Sequence, residues 1–165
     1  MLFGRAQEEI AALEAHGITC EVVPGITVTL AAAADLKTSL TQRGTARSIT
    51  FATPRTGTGE APGVWARAVA GADAAAIYMG IGEAAAVTAA LLATGKAPSL
   101  PVTVVESASL PHRRIQYTTL CQLPFALDAA MAGPAVILLG PQFGARTTGA
   151  RNDVTHFAPT RRSAA

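Results

Sequence analysis

Apolar positions recur along this chain in two rhythms. Short apolar runs predict strands at residues 48–52 (SITFA), 74–79 (AAAIYM), 101–106 (PVTVVE) and 135–139 (AVILL). The second and fourth read as buried strands, whereas RRIQYT at 113–118 alternates and suits an edge. A fifth β-prone run, 20–23, ends at the turn Pro24-Gly25. The helical rhythm predicts helices over 6–16, stopped by Gly17, and over 30–36, capped by Thr27 or Thr29. It continues over 64–70 around Trp65 and over 83–94, stopped by Gly95. A last helix is expected over 120–131, its start shortened by Pro124. Residues 54–63 form a Gly/Pro/Thr loop, and periodicity ends after Gly140-Pro141. Strands alternating with helices predict an α/β fold with a mixed β-sheet flanked by helices. One domain over 1–142 and a flexible tail over 143–165 follow from the same pattern.

Composition bounds the picture. The chain has 165 residues. A folded monomer of 16.8 kDa exposes roughly 7,700 Å² of the roughly 24,000 Å² of its unfolded chain, enough burial for one core. With 50% hydrophobic and 15% charged residues, disorder over most of the chain is excluded. A mean hydropathy of +0.33 implies either tightly packed alanine-rich helices or apolar surface that meets a partner. The net charge of +2 owes part of its excess to Arg146, Arg151, Arg161 and Arg162, and aromatics are 5%, so no nucleic-acid partner is expected. Cys20 and Cys121 are far apart and lack CxxC spacing, which fits a reduced, cytoplasmic protein. The start has no secretory apolar stretch, and the apolar region 72–95 is broken by Asp73, Glu83 and glycines, so no membrane association is expected.

Candidate chemistry is sparse. His16, His112 and His156 have no metal-ligand spacing, and His16 reads as a helix-end surface residue. No catalytic residue and no metal site is assigned. Gly80-Ile81-Gly82 reads as a strand-to-helix turn rather than half of a dinucleotide fingerprint. In open α/β sheets ligands bind beyond the carboxyl ends of strands. Three segments of that kind are small or flexible: 24–27, 79–82 and 106–109. Small residues admit close backbone approach, Met79 offers a soft apolar wall, and Thr27 offers a hydroxyl.

Five blocks, in order, carry a resemblance: FGRAQEEIAALEAHGITCEVVPGIT (3–27), SLTQRGTARSITFATPRTG (39–57), AAIYMGIGEAAAVTAALLATGKAP (75–98), PVTVVESASLPHRRI (101–115) and GPAVILLGPQ (133–142). Together they resemble the C-terminal half of the uroporphyrinogen-III C-methyltransferases, a branch of the tetrapyrrole (precorrin) methylase family. The resemblance implies the second domain of that fold. It implies C-methylation of uroporphyrinogen III at C2 and C7 with S-adenosyl-L-methionine as donor and S-adenosyl-L-homocysteine as product. The product, precorrin-2, feeds sirohaem and cobalamin synthesis. It places Leu2, Thr27, Val28, Met79 and Ala108 on the cofactor, with Pro24, Gly25 and Gly80 in the same blocks and Pro134 and Ala135 beside the adenine pocket.

Departures from the family pattern set further expectations. Gln42 stands where the family has His, and Thr53-Pro54-Arg55 replaces its Thr-Gly-His. The family's first domain, with its glycine-rich loops and its acidic and lysine proton-transfer residues, has no counterpart in these 165 residues. Alignment of an activated methyl with a carbon nucleophile needs a closed, water-excluding cleft. Methyltransfer by this chain alone is therefore expected to be weak or absent, with a homodimer or a separate N-terminal domain chain as partner. The alternative is a non-catalytic S-adenosylmethionine-binding or dimerisation module. Glu8, Glu9, Arg113 and Arg114 read as solvated faces, with Arg113 or Arg114 the alternative contacts for substrate carboxylates.

Overall fold

The computed structural model describes residues 1–57, 63–127, 131 and 133–145. The apolar runs form β1 (Ile49–Ala52), β2 (Ala74–Tyr78), β3 (Pro101–Glu106) and β5 (Ala135–Leu139), and the alternating run forms β4 (Arg114–Thr119). They join in one sheet of order β1-β2-β5-β3-β4. β1 and β2 are parallel, and β2·β5, β5·β3 and β3·β4 are antiparallel, so the sheet is mixed. β5 is central and apolar throughout because both of its faces are covered. β4 lies at an edge, as its alternation anticipates.

Alternate strand residues point to opposite faces, and each face has its own helices. On one, Ile77, Val104 and Ile137 pack with Val69 of α3 (Trp65–Ala70), Val87 and Leu91 of α4 (Ala84–Ala93) and Leu123 of α5 (Leu123–Ala126). On the other, Ala76, Tyr78, Val105 and Leu138 pack with Ala32 of α2 (Val28–Asp35) and with Phe143. α1 (Ala6–Ala15) buries no residue, and His16 at its end reaches back to the Ala12 carbonyl at 2.8 Å. Gly17 follows at φ 66°, the left-handed conformation that a glycine stop supplies.

The structure corrects four expectations. Residues 20–23 form no strand: among the described residues no ladder partner meets them, and Val22 and Val23 are exposed. The helix expected over 120–131 is a 3-10 turn followed by one short turn of α-helix that ends at Ala126. Leu127 is already extended, and Pro124 in the first turn removes an amide donor. Thr27 takes the N-cap position of α2, as one of the two expected candidates, but no side-chain cap forms: the Thr27 and Thr29 hydroxyls are both turned to Tyr78. Phe143, placed at the head of the tail, is 1% exposed, and its carbonyl accepts the Thr103 hydroxyl. Residues 58–62 of the expected loop and 146–165 of the expected tail lie outside the described residues.

Candidate functional site

β1, β2 and β3 run one way and β4 and β5 the other, so the carboxyl ends of the first three share an edge with the start of β5. The register fixes this: Tyr78 lies opposite Val136, and Glu106 lies opposite Ala135. Immediately beyond β2 and β3 stand Met79 (φ 55°) and Ser107 (φ 53°), with Ser109 (φ 66°) close behind. Left-handed backbone at non-glycine residues is uncommon and costs about 1–3 kcal/mol, and such residues cluster at functional sites. Gly80 itself is not left-handed. Its need is space, since a Cβ there would sit 2.8 Å from the Ile77 Cγ2.

At this edge an open groove of about 460 Å³ runs past Met79, Gly82, Pro134 and Ala135, with Arg55 and Glu83 as its ionisable lining residues. Small-molecule sites span roughly 300–1,000 Å³. Met79 is 43% exposed and lines this groove. A more polar hollow of about 330 Å³, lined by Lys37, Thr38, Ser39, Gln42 and Gln142, lies at the opposite edge, where β5 ends. Gln42 is thus remote from the groove, and so is Asp73. The Asp73 carboxyl accepts the Arg47 and Ser48 amides and the Ser48 hydroxyl, which hold it below the ordinary carboxylate range.

The 133–135 wall of the groove is pinned to the end of β3. Gly133 N–H donates to Glu106 Oε1 at 2.7 Å, and Ser107 N–H donates to the Pro134 carbonyl at 2.8 Å. Arg114 Nε donates to Glu106 Oε2 at 2.6 Å, and Glu106 is 4% exposed. Arg114 therefore holds a buried carboxylate rather than simply forming a solvated face, while Arg113 pairs with Asp35 at 3.5 Å. A Cβ on Gly133 would lie 2.6 Å from Ser107 Oγ, so only glycine lets the two segments approach this closely.

The remaining candidates gather around Tyr78 on the α2 face. Thr27 Oγ1 lies 2.7 Å from the Tyr78 hydroxyl, and Thr29 Oγ1 donates to it at 2.5 Å. Val28 and Ala108 pack on the same cluster, and the Phe3 ring, next to Leu2, lies 5.1 Å from the Tyr78 ring. Met79 and Ala135 thus line the groove, whereas Gly80 is buried behind it against Ile77 and Ile137. Thr27 meets Tyr78 directly, Val28 and Ala108 pack on the cluster that contains it, and Leu2 is exposed beside Phe3. Pro24 and Gly25 are exposed in the extended segment that leads to Thr27. Sequence reading passed over Tyr78 and Gly133, and it marked Glu106 only as part of the strand-end segment 106–109. Tyr78 stood inside a quoted block, but nothing local announces that its hydroxyl meets residues about fifty positions away.

A mixed five-stranded sheet with helices on both faces and a groove at its strand ends defines an α/β ligand-binding domain. Residues 1–124 match the family of Tetrapyrrole (Corrin/Porphyrin) Methylases, and the chain belongs to that family. It is 36% identical over 142 residues to a uroporphyrinogen-III C-methyltransferase of Pseudomonas aeruginosa, covering 84% of this chain and 57% of that protein. It is 34% identical over 140 residues to a siroheme synthase of Azotobacter vinelandii, covering 84% of this chain and 30% of that protein. A uroporphyrin-III C-methyl transferase structure from Thermus thermophilus, complexed with S-adenyl homocysteine, superposes with a TM-score of 0.74 at 32% identity. That match covers 86% of this chain and 61% of the other. The chain therefore spans between about a third and three-fifths of the relatives it matches. A cobalt precorrin-4 methyltransferase, at 24% identity and a TM-score of 0.77, shares the fold.

Proposed function

We propose that this chain supplies one wall of a methyltransferase that uses S-adenosyl-L-methionine to C-methylate a tetrapyrrole, with uroporphyrinogen III converted to precorrin-2 as the specific reaction. The single observation that carries this reading is the groove at the carboxyl edge of the sheet, bordered by Met79 and by the pinned wall at Gly133 and Pro134. Its size suits a nucleoside-sized ligand, and its small residues leave backbone within reach of a flat ring. S-adenosylmethionine would supply an already activated methyl group on its sulfonium sulfur. The residues that would hold it are Met79, Pro134 and Ala135 in the groove, with Gly80 behind Met79, Thr27 at Tyr78, Val28 and Ala108 on the same apolar cluster, and Leu2 beside Phe3. Their work is binding and orientation: Met79 packs against apolar parts of the cofactor, and Thr27 offers a hydroxyl. Arg55 and Glu83 are the ionisable residues that line the groove.

The groove is open along one side, and these residues alone do not exclude water from it. A second wall, from a separate domain or a second copy, would complete the cleft, and the 165 residues alone would methylate weakly or not at all. Sirohaem and cobalamin synthesis in the cytoplasm is the setting this reading implies. The test is calorimetric titration with S-adenosylhomocysteine, followed by assay of uroporphyrinogen III methylation. Binding without turnover is the expected result for this chain. No binding, even beside a first domain taken from a relative, would sink the cofactor assignment. Full turnover by the 165 residues alone would overturn the need for a second wall.

A further inference from the structure

Thr27 and Met79, which the proposed function sets on the cofactor, and Phe3, the neighbour of Leu2, all adjoin one side chain outside that set. Tyr78 is 8% exposed, stacks at a tilt on Phe3, and directly precedes the left-handed Met79. Its hydroxyl is shared by Thr27 at 2.7 Å and Thr29 at 2.5 Å. A phenol has a single hydrogen to give and also accepts. Thr29 is buried, and its hydroxyl donates to the Tyr78 oxygen. The phenolic hydrogen is then available for the oxygen of Thr27, and the Thr27 hydroxyl hydrogen is left for a third partner. Thr27 is only half-buried, so that partner can come from outside the fold.

We infer that Tyr78 is a positioning residue which assembles the cofactor wall, and that the hydroxyl chain Thr29→Tyr78→Thr27 presents Thr27 as a donor to an oxygen acceptor of the bound ligand. Each hydroxyl in such a chain polarises the next, which strengthens the terminal donor. The inference rests on the proposed function for the identity of the ligand, and on the described hydrogen bonds for the chain itself. Acceptor oxygens occur both on the amino-acid carboxylate and on the ribose of an S-adenosyl compound, and the two sources can be separated by experiment.

The test uses the 165-residue chain and its variants Tyr78→Phe, Thr27→Val and Thr29→Val, titrated with S-adenosylhomocysteine and with 5′-methylthioadenosine, which lacks the amino-acid portion. Tyr78→Phe keeps the ring and loses the relay, and S-adenosylhomocysteine is expected to bind about tenfold more weakly, the scale of one hydrogen bond. The double variant Tyr78→Phe/Thr27→Val should be no weaker than either single one, because both break the same chain. Loss for S-adenosylhomocysteine alone assigns the acceptor to the carboxylate, and loss for both ligands assigns it to the nucleoside. Wild-type affinity in Tyr78→Phe overturns the inference while leaving the cofactor reading intact. If the wild-type chain binds neither ligand, even beside a first domain taken from a relative, the cofactor reading and the ligand-facing role of Thr27 fall together. Amide exchange over residues 2–5 and 27–30 then decides the positioning role, which stands if Tyr78→Phe speeds exchange there and falls if it does not.

Discussion

The Glu106 carboxylate accepts the Gly133 amide at 2.7 Å, and so ties the end of β3 to a segment 27 residues further along the chain. The same carboxylate takes the Arg114 guanidinium on its other oxygen. A buried carboxylate with two charge-assisted partners is costly to remove, because the partners are left behind. Glu106→Ala should lower the unfolding free energy by about 2 kcal/mol, and Glu106→Gln, which keeps an acceptor for Gly133, by about half that. Urea denaturation of the three proteins measures both. Equal losses for Ala and Gln would show that the charge on Glu106, not the amide bond to Gly133, is what matters.

Gly80 and Gly82 flank the same turn and should behave differently. A Cβ on Gly80 would lie 2.8 Å from Ile77 Cγ2 and 3.4 Å from Ile137 Cδ1, both in the packed core, whereas a Cβ on Gly82 meets nothing within 4 Å. Overpacking of this kind costs about 1–3 kcal/mol, so Gly80→Ala should lower Tm by several degrees and Gly82→Ala should leave it nearly unchanged. Thermal melts followed by circular dichroism distinguish the two. Similar melting of both variants would contradict the packing at Gly80.

Asp73 makes folding pH-dependent. Its carboxyl is held low by the amides of Arg47 and Ser48 and by the Ser48 hydroxyl. The unfolded chain therefore takes up the proton first as pH falls. The contribution is complete above the ordinary aspartate value of about 4 and disappears as pH drops through the lower folded value. Asp73→Asn should flatten this part of the acid limb while barely changing the pH dependence above about pH 5. Urea midpoints between about pH 2 and 6 provide the comparison.

Phe143 marks how far the folded core extends. It is among the largest fully buried side chains, on the face that α2 covers. Phe143→Ala should cost about 3–5 kcal/mol, the usual loss for a buried phenylalanine. A loss below about 1 kcal/mol in chemical denaturation would place Phe143 outside the cooperative core.

Much of the fold was legible because it depends on local rhythm. The short runs AAAIYM, PVTVVE and AVILL, each bounded by turn residues, became largely buried strands, SITFA became a half-buried edge strand, and RIQYTT alternates and lies at the other edge. The failures share a cause. Residues 20–23 have the composition of a strand, but only a neighbouring strand can make one. Thr27 and Thr29 have the chemistry of helix caps, yet a phenol 51 and 49 residues away captures both hydroxyls. Phe143 follows an aperiodic Gly-Pro-Gln and gives no periodic sign of burial. The position of Met79 just beyond β2 was legible because strand ends can be read locally. Gly133 and Tyr78 were passed over, and Glu106 was marked only as a strand end, because their contacts exist only after the sheet has brought distant segments together.

β2 and β3 do not touch as ladder neighbours: each pairs with β5, the last of the five described strands to be synthesised. Before residue 135 emerges, β1 and β2 can form only one small parallel pair, and β3 and β4 only a hairpin. Neither is wide enough to be stable alone. Insertion of AVILL between them converts two marginal fragments into a single sheet. The same event brings Ala135 opposite Glu106 and so builds the groove wall. Sheet and groove thus appear together, late in synthesis, and a nascent chain cut short before β5 would carry two unpaired strand edges and no site at all.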